Sequence, residues 1–131
     1  MLRESGTQAS GRRRVLVVDG SMVGRMLAAM MLAERDFEVV EAGDAESALD
    51  RLQAESFDLV LLDAGLPGMP GTALCQKVRH ELGMVDLPII GYTARGDVTS
   101  LARMRMAGFN DFLIKPVSTG ALDLALSNAL A

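Results

Sequence analysis

The clearest indication of the fold of this 131-residue chain is the stretch Asp58-Leu59-Val60-Leu61-Leu62-Asp63-Ala64-Gly65-Leu66-Pro67-Gly68-Met69-Pro70-Gly71. An unbroken apolar run ends at Asp63, and a loop rich in Gly and Pro follows at once. Such a run, bounded by turn residues, predicts a strand buried on both faces, as in a parallel sheet. Ligands of open parallel sheets bind at the carboxyl ends of the strands. Asp63 is therefore the first candidate for a chemically active residue, although a carboxylate that only caps a turn would give the same local pattern.

Four further segments repeat the strand pattern, and helical patterns alternate with the strands. The predicted strands are 15–18, 37–42, 58–62, 87–92 and 111–114. The predicted helices run from the cap Ser21 to about Glu34, over 45–55, over 72–82, over 97–107 and from the cap Ser118 onward. This alternation predicts an α/β domain over 14–131, with a doubly wound five-stranded parallel sheet and helices on both faces.

The segment before this domain, residues 1–13, is predicted to be a flexible tail. Arg12-Arg13-Arg14 at its end is typical of a solvated charge run, with a small anion-binding patch as the alternative.

Charge and composition exclude several classes of partner. The formal net charge is −4 at pH 7, so the chain lacks the basic surface that nucleic-acid binding requires. No apolar run approaches the length that spans a membrane, and the N-terminal segment lacks the apolar core of a signal peptide. The one cysteine, Cys75, cannot form an internal disulfide. We therefore predict a cytoplasmic protein that binds neither nucleic acid nor membrane.

Polar residues follow or end four of the five predicted strands: Asp19, Asp63, Thr93 and Lys115. If the strand order is 2-1-3-4-5, Asp19 and Asp63 face each other across the crevice where the winding reverses. Two close carboxylates repel unless a cation lies between them, and hard oxygen ligands suit Mg²⁺. The hydroxyl of Thr93 and the ammonium of Lys115 would supply donors for phosphoryl oxygens. This set predicts metal-assisted phosphoryl transfer onto a carboxylate.

Four motifs closely resemble the receiver domain of bacterial two-component response regulators and hybrid sensor kinases. They are Val17-Val18-Asp19, the loop from Asp63 to Gly71, Pro88-Ile89-Ile90-Gly91-Tyr92-Thr93-Ala94, and Gly108-Phe109-Asn110-Asp111-Phe112-Leu113-Ile114-Lys115-Pro116. The resemblance covers about Arg14 to Ala131 and implies the flavodoxin-like strand order 2-1-3-4-5.

The resemblance also implies a function for named residues. Asp63 would accept a phosphoryl group from a phosphohistidine on a sensor histidine kinase or histidine phosphotransfer protein. Mg²⁺ would be held by Asp63, the Gly65 carbonyl and the acidic pair that normally follows the first strand, which includes Asp19. Lys115 would bind the phosphoryl oxygens, and its peptide bond to Pro116 is usually cis in the family.

Conformational signalling would follow from the phosphoryl group. Thr93 would move toward it, and Phe112 would turn inward as the paired aromatic switch. Such a domain is a signalling element, with at most slow loss of its own phosphoryl group, and not an enzyme. A homodimer is left open.

The chain departs from the family at Gly20, where the second acid of the pair normally stands. The substitution removes one negative charge and one oxygen ligand from the cation site. Water can fill the position, since Mg²⁺ usually keeps several waters, but its affinity should fall. Because Asp63, Thr93 and Lys115 remain, we expect phosphorylation to persist.

The first helix is apolar around most of its circumference. Gly24, Leu27, Ala28 and Met31 are predicted to form its buried face. Met22, Met26 and Met30 then lie on the other side, which predicts a docking face for a partner, because Met side chains adapt to many surfaces. Coverage of these residues by a loop or the tail, or simple tolerance of surface Met, is the alternative.

Two functions are therefore carried forward. One is a phosphoacceptor switch, and the other is a receiver-like interaction module that does not depend on phosphorylation. Enzymes of similar topology fit poorly. A dehalogenase-type phosphatase needs an acid where this chain has Gly65, and a flavodoxin needs a hydroxyl-rich loop where it has Asp19-Gly20-Ser21-Met22.

Overall fold

The computed structural model describes residues 11–131. Five strands alternate with five helices in this part of the chain. The strands are β1 (Arg14–Val18), β2 (Glu38–Ala42), β3 (Leu59–Asp63), β4 (Ile89–Thr93) and β5 (Asp111–Ile114). The helices are α1 (Met22–Ala33), α2 (Ala45–Ala54), α3 (Gly71–His80), α4 (Val98–Ala107) and α5 (Thr119–Ala129). The predicted alternation is confirmed, and most of the predicted bounds agree to within two residues.

The strands form a single parallel sheet in the order β2-β1-β3-β4-β5, which confirms the prediction. The winding reverses between β1 and β3, where Val18 lies opposite Leu62. Farther along the sheet, Asp63 lies opposite Tyr92, and Thr93 lies opposite Ile114. This register brings the carboxyl ends of β1, β3, β4 and β5 to one edge.

Helices cover both faces of the sheet, as predicted. Residues of α2, α3 and α4 pack on one face around Leu16, Val60 and Ile89. Residues of α1 and α5 pack on the other face around Val17, Leu61 and Ile90. Because β1, β3 and β4 are buried along their whole length, their apolar runs need no polar alternation.

Local signals set the helix ends. The side chains of Ser21, Asp44, Asp97 and Ser118 each accept a hydrogen bond from a backbone N–H in the first turn of the helix that follows. Gly108 ends α4 with a φ of 114°, a conformation that other residues rarely adopt. The caps Ser21 and Ser118 agree with the sequence prediction, whereas Asp97 was predicted to lie inside the helix that it caps.

Arg14 does not behave as part of a charged surface run, so both interpretations of the triple Arg are wrong for this residue. Its side chain is buried and forms ion pairs with Glu38 and Glu55 at 2.9 and 2.6 Å. It also donates to the carbonyl oxygen of Ser56 and lies over the ring of Phe57. These partners come from distant parts of the chain, and they hold Arg14 at the start of β1. Of the predicted tail, residues 1–10 lie outside the described part.

Leu27 is the second correction, because it was predicted to be buried and is 57% exposed. The buried stripe of α1 instead centres on Leu32, with Ala28 and Met31 packed beside it. These residues share one face at helical spacing, and Leu27 stands at its margin, where α5 does not cover it.

Arg79 is a buried cation of α3 that the sequence did not reveal. Its guanidinium donates to the carbonyl oxygens of Met84, Leu87 and Gly108 at 2.7, 2.6 and 2.8 Å. It also donates to Oδ1 of Asn110 at 2.7 Å. The side chain therefore ties α3 to the segments on either side of β4 and α4.

Among residues 11–131, no helix is long and apolar enough to cross a membrane.

Candidate functional site

The site is built on the carboxyl ends of four strands. Asp63 and Thr93 are the last residues of β3 and β4, while Asp19 and Lys115 directly follow β1 and β5. The parallel register brings all four to the same edge of the sheet. The structure therefore assembles the residues that the sequence singled out, although their chemical roles remain predictions.

Asp63 is at the centre of this site. Its Oδ1 accepts a hydrogen bond from the N–H of Gly65 at 2.9 Å, which fixes the carboxylate against the following loop. Its Oδ2 lies 3.3 Å from Nζ of Lys115. The side chain is largely buried, whereas that of Lys115 keeps 35% of its surface exposed. The loop and β5 thus hold one carboxylate oxygen each.

The electrostatic environment of Asp63 combines opposing influences. Burial raises the pKa of its carboxyl, and the adjacent carboxyl of Asp19 raises it further. The Gly65 N–H and the charge of Lys115 act in the opposite direction, but the pKa remains above the ordinary value of 3.8. Ionised Asp63 is therefore less favourable here than in water, and a positive charge nearby would stabilise it.

A crevice of about 440 Å³ opens beside Asp63 and is lined by Thr93, Lys115, Arg95 and Arg103. The oxygen Oγ1 of Thr93 accepts a hydrogen bond from the backbone N–H of Arg95 at 3.0 Å. Three cationic side chains thus surround the opening, and they favour the approach of an anion. The two arginines were missed at the sequence level because nothing in the local pattern of α4 and its preceding loop marks them.

Asp19 is fully buried, and both of its carboxylate oxygens accept hydrogen bonds. Oδ1 accepts from the N–H of Ser21 at 2.9 Å, and Oδ2 accepts from the hydroxyl of Tyr92 at 2.6 Å. Arg25 donates to the backbone carbonyl of the same residue at 2.8 Å. Asp19 is thus tied to β4 and α1 in addition to facing Asp63.

Tyr92 is the functional neighbour that the sequence analysis missed. Burial raises the pKa of its hydroxyl, and the bond to Asp19 raises it further, so the hydroxyl is a neutral donor. The ammonium of Lys115 lies 4.7 Å from the centre of the Tyr92 ring, so these two side chains form a cation–π contact. A signal was present, since this is the only tyrosine of the chain and it stands next to Thr93 at a strand end.

Gly20 is exposed and stands beside the ring of Pro67 in the loop that follows β3. A Cβ at this position would be 2.5 Å from Cδ and 3.0 Å from Cγ of Pro67. Such distances are well below ordinary carbon–carbon contact, so the loop leaves no room for a side chain at Gly20. The absence of an acidic side chain at position 20 therefore matches the position of Pro67, which would overlap with such a side chain.

The donor set agrees in kind with a bound Mg²⁺. Two carboxylates and a backbone carbonyl are hard oxygen ligands, and this ion often uses only one or two carboxylates with water completing the shell. Within residues 11–131, no cluster of three or more His, Cys, Asp or Glu side chains could hold a metal ion. The protein would thus supply only Asp19, Asp63 and the carbonyl of Gly65, and the remaining ligands would be water.

Phe112, the predicted switch residue, lies on the α4 side of β5. Its ring is partly buried and packs against the cluster formed with α2, α3 and α4. The guanidinium of Arg105 on α4 lies 5.0 Å from the ring centre. The ring therefore stands between β5 and α4, where a movement would alter the contact of these two elements.

The methionine face of α1 is accessible. Met22, Met26 and Met30 are 64%, 50% and 60% exposed. Beside them runs a groove between α1 and α5, lined in part by Leu27, Met30 and Val117, that reaches Asp19, Tyr92 and Lys115. This apolar groove therefore leads directly to the site. The exposure required for docking is present, and docking itself remains a prediction.

Comparison with known proteins gives a consistent result. A family model described as the response regulator receiver domain matches residues 15–127. The chain is 36% identical over 113 residues to the CAI-1 autoinducer sensor kinase/phosphatase CqsS of Vibrio cholerae, a match that covers 84% of this chain and 16% of that protein. It is 35% identical over 106 residues to the phosphate regulon transcriptional regulatory protein PhoB of Escherichia coli, covering 81% of this chain and 46% of that protein.

The solved structure of chemotaxis protein CheY4 from Vibrio cholerae is similar to the fold with a TM-score of 0.84 at 26% identity, covering 90% of this chain and 98% of that chain. The present chain thus spans less than half the length of the two curated relatives named above, and almost all of the solved structure.

Proposed function

Since the chain belongs to the response regulator receiver domain family of two-component signalling, we propose that Asp63 is its phosphoacceptor. The donor would be a phosphohistidine on a sensor histidine kinase or histidine phosphotransfer protein. The observation that carries the proposal is the position of Asp63, a buried carboxylate that borders an open cationic crevice with Lys115 at 3.3 Å.

The chemistry follows from this arrangement. An oxygen of ionised Asp63 attacks the phosphorus, the P–N bond to the histidine breaks, and its electron pair stays on the ring nitrogen, which takes a proton from water. Lys115 lies where it can neutralise negative charge on the transferred group, and Arg95 and Arg103 attract the incoming anion. When bound by Asp63, Asp19 and the Gly65 carbonyl, Mg²⁺ would neutralise the charge that gathers on the phosphoryl oxygens.

The proposed signal travels along β4 and β5. A phosphoryl group on Asp63 offers new acceptors to the hydroxyl of Thr93, which now accepts from the N–H of Arg95. Exchange of that bond would change the loop before α4 and shift the helix that follows, whose Arg105 lies over the ring of Phe112 on β5. The face formed by α4 and β5 would then differ between the two states.

The proposed docking site of the donor is the methionine face of α1 with its adjoining groove. The groove joins Asp19 and Lys115, so a helical partner seated there would carry its phosphohistidine to the edge of the site. Two-component donors of this kind act in the cytoplasm, and this proposal assigns the domain to the same compartment.

Phosphorylation by acetyl phosphate with Mg²⁺, followed by intact mass, tests the phosphoacceptor. We expect one phosphoryl adduct on the wild-type chain and none on Asp63→Asn. Asp50→Asn is a matched control, since Asp50 is an exposed aspartate of α2. No adduct on the folded wild-type chain at high Mg²⁺, or an adduct that persists in Asp63→Asn, would refute the assignment.

Docking is tested by comparing two donors. Met22→Ala, Met26→Ala and Met30→Ala should slow transfer from a phosphorylated histidine phosphotransfer domain that is active on the wild-type chain, and leave transfer from acetyl phosphate unchanged. Met106→Ala is the control, because Met106 is 88% exposed on α4. Equal transfer rates in all four variants would argue against this face.

A second function is favoured by one observation. The ring of Pro67 occupies the place that a side chain at Gly20 would take, and the two carboxylate oxygens of Asp19 are already bonded within the protein. A domain with this site could bind a partner, including a second copy of itself, without phosphorylation. Partner affinity or dimer mass that is identical in the wild type and Asp63→Asn, with and without acetyl phosphate, would establish this alternative.

A further inference from the structure

The hydrogen bond between Tyr92 and Asp19 lies at the proposed cation site. Oδ2 of Asp19 is 2.6 Å from the Tyr92 hydroxyl, and the carboxylate has no exposed surface. A carboxylate that already accepts bonds from Tyr92 and from the N–H of Ser21 is well satisfied in the absence of any cation. A cation that takes Oδ2 as a ligand must therefore compete with this short hydrogen bond.

Gly24 makes this arrangement sterically feasible. A Cβ at position 24 would lie 2.5 Å from Oδ2 of Asp19, the same oxygen that Tyr92 holds. The carboxylate of Asp19 thus lies against α1 in space that the side chain of any residue larger than glycine at position 24 would occupy. Arg25, one residue later, fixes the backbone carbonyl of Asp19 at 2.8 Å. Residues of β4 and α1 together hold the carboxylate toward Tyr92.

We propose that the hydroxyl of Tyr92 is an internal competitor for the cation at Asp19. In the cation-free state it holds Oδ2 and offsets part of the repulsion between Asp19 and Asp63. Binding of Mg²⁺ through Oδ2 displaces the hydroxyl, so the ion binds more weakly than the two carboxylates alone would allow. Tyr92 is in this sense a positioning residue that sets the Mg²⁺ concentration at which the site fills. The inference deepens the proposed function, because it concerns the same site.

The first test is a Mg²⁺ titration without any phosphodonor, followed by the NMR shifts of the Gly65 and Ser21 amides. Tyr92→Phe keeps the ring and removes only the hydroxyl. Because a hydrogen bond to a charged group is worth about tenfold to a hundredfold in an equilibrium, Tyr92→Phe should tighten Mg²⁺ binding by about tenfold or more. Unchanged or weaker binding, or no binding by either protein, would overturn the proposal.

A second variant approaches the same bond from α1. Gly24→Ala places a methyl group against Oδ2 of Asp19 and should loosen its bond to Tyr92, so the fluorescence emission of Tyr92 should already be raised without Mg²⁺ and should change little when Mg²⁺ is added. Gly120→Ala is the matched control, since a Cβ at this helical glycine of α5 meets no atom within 4 Å. This pair keeps the proposal testable if Tyr92→Phe does not fold.

The wild-type chain carries its own reporter, because Tyr92 is its only tyrosine and it has no tryptophan. A carboxylate that accepts a bond from a tyrosine quenches the emission of that tyrosine. Mg²⁺ should therefore raise the emission with the same midpoint as the amide shifts. Shifts at Gly65 with constant emission would mean that the ion binds without displacing Tyr92, and the proposal would fail.

The outcomes are separable from those of the proposed function. Tighter Mg²⁺ binding in Tyr92→Phe supports the competitor even if acetyl phosphate leaves no adduct on Asp63. An adduct on the wild-type chain together with an unchanged Mg²⁺ affinity in Tyr92→Phe supports the phosphoacceptor and rejects the competitor.

Discussion

Replacing Gly20 by aspartate would restore the acid that receiver domains normally carry, and we expect it to destabilise the chain. The new Cβ would stand 2.5 Å from Cδ and 3.0 Å from Cγ of Pro67. Ordinary carbon contacts are about 3.5–4.0 Å, so the loop after β3 would have to move by about 1 Å. The new carboxylate would also join Asp19 and Asp63, which already repel each other.

The expected loss in the free energy of unfolding has a steric part and an electrostatic part. Overpacking of this kind costs about 1–3 kcal/mol. Loss of a glycine from the unfolded chain returns about 0.4–1 kcal/mol. Gly20→Ala should therefore lower the free energy of unfolding by about 1–2 kcal/mol. In Gly20→Asp, the new carboxylate also repels Asp19 and Asp63; if a separation of about 8 Å and an effective dielectric of 20 are assumed, this adds about 2 kcal/mol, and this part should vanish when Mg²⁺ is bound.

Urea unfolding of both variants, with and without Mg²⁺, separates the two parts. The steric loss should be the same in either buffer, whereas Mg²⁺ should stabilise Gly20→Asp more than Gly20→Ala. Adding Pro67→Ala to either variant should recover the steric part, which a double-mutant cycle measures directly. If Gly20→Ala is as stable as the wild type, the loop does not close over position 20 and the reasoning is refuted.

Three further predictions concern Asp63, Lys115 and Arg79. The pKa of Asp63 is raised in the folded state, so its ionisation costs stability. Asp63→Asn should match the wild type at pH values below 3.8 and become the more stable protein as pH rises through the folded pKa, as pH-dependent urea unfolding would reveal; a constant difference would contradict the shift. Lys115→Met should slow adduct formation from acetyl phosphate by about a hundredfold, since it removes the cation 3.3 Å from the acceptor, and an unchanged rate would exclude that role. Arg79→Met should cost about 3–5 kcal/mol of unfolding free energy, because three partly buried carbonyl groups lose their donor; a loss under 1 kcal/mol would mean that water replaces the guanidinium.

Much of the fold follows from local chemistry. The apolar runs before Asp19 and Asp63, and the caps Ser21, Asp97 and Ser118, each act within a few residues of the chain. Patterns of this kind can be recognised from neighbours in sequence, so the alternation of strands and helices was predictable. The strand order also predicts that the four strand-end residues lie close together, because parallel strands have their carboxyl ends at a common edge of the sheet.

The helix faces were less predictable. Leu27 has the spacing of a buried residue, yet it is exposed, because the position of α5 decides how far the covered stripe of α1 extends. Arg14 reads as a surface charge, yet it is buried, because Glu38 and Glu55 reach it from β2 and the end of α2. Hydrophobic periodicity indicates which side of a helix is buried, but it does not indicate how many residues around the helix the neighbouring elements cover.

Local patterns in the sequence were therefore enough to predict the strands, the helix caps Ser21 and Ser118, and the four strand-end residues of this receiver domain. The bond between Tyr92 and Asp19, which lie 73 positions apart, and the position of Pro67 beside Gly20 became visible only in the folded chain. A hydrogen bond or a steric contact depends on distances of a few tenths of an ångström. Such distances arise from the packing of whole elements, which no local pattern of residues encodes.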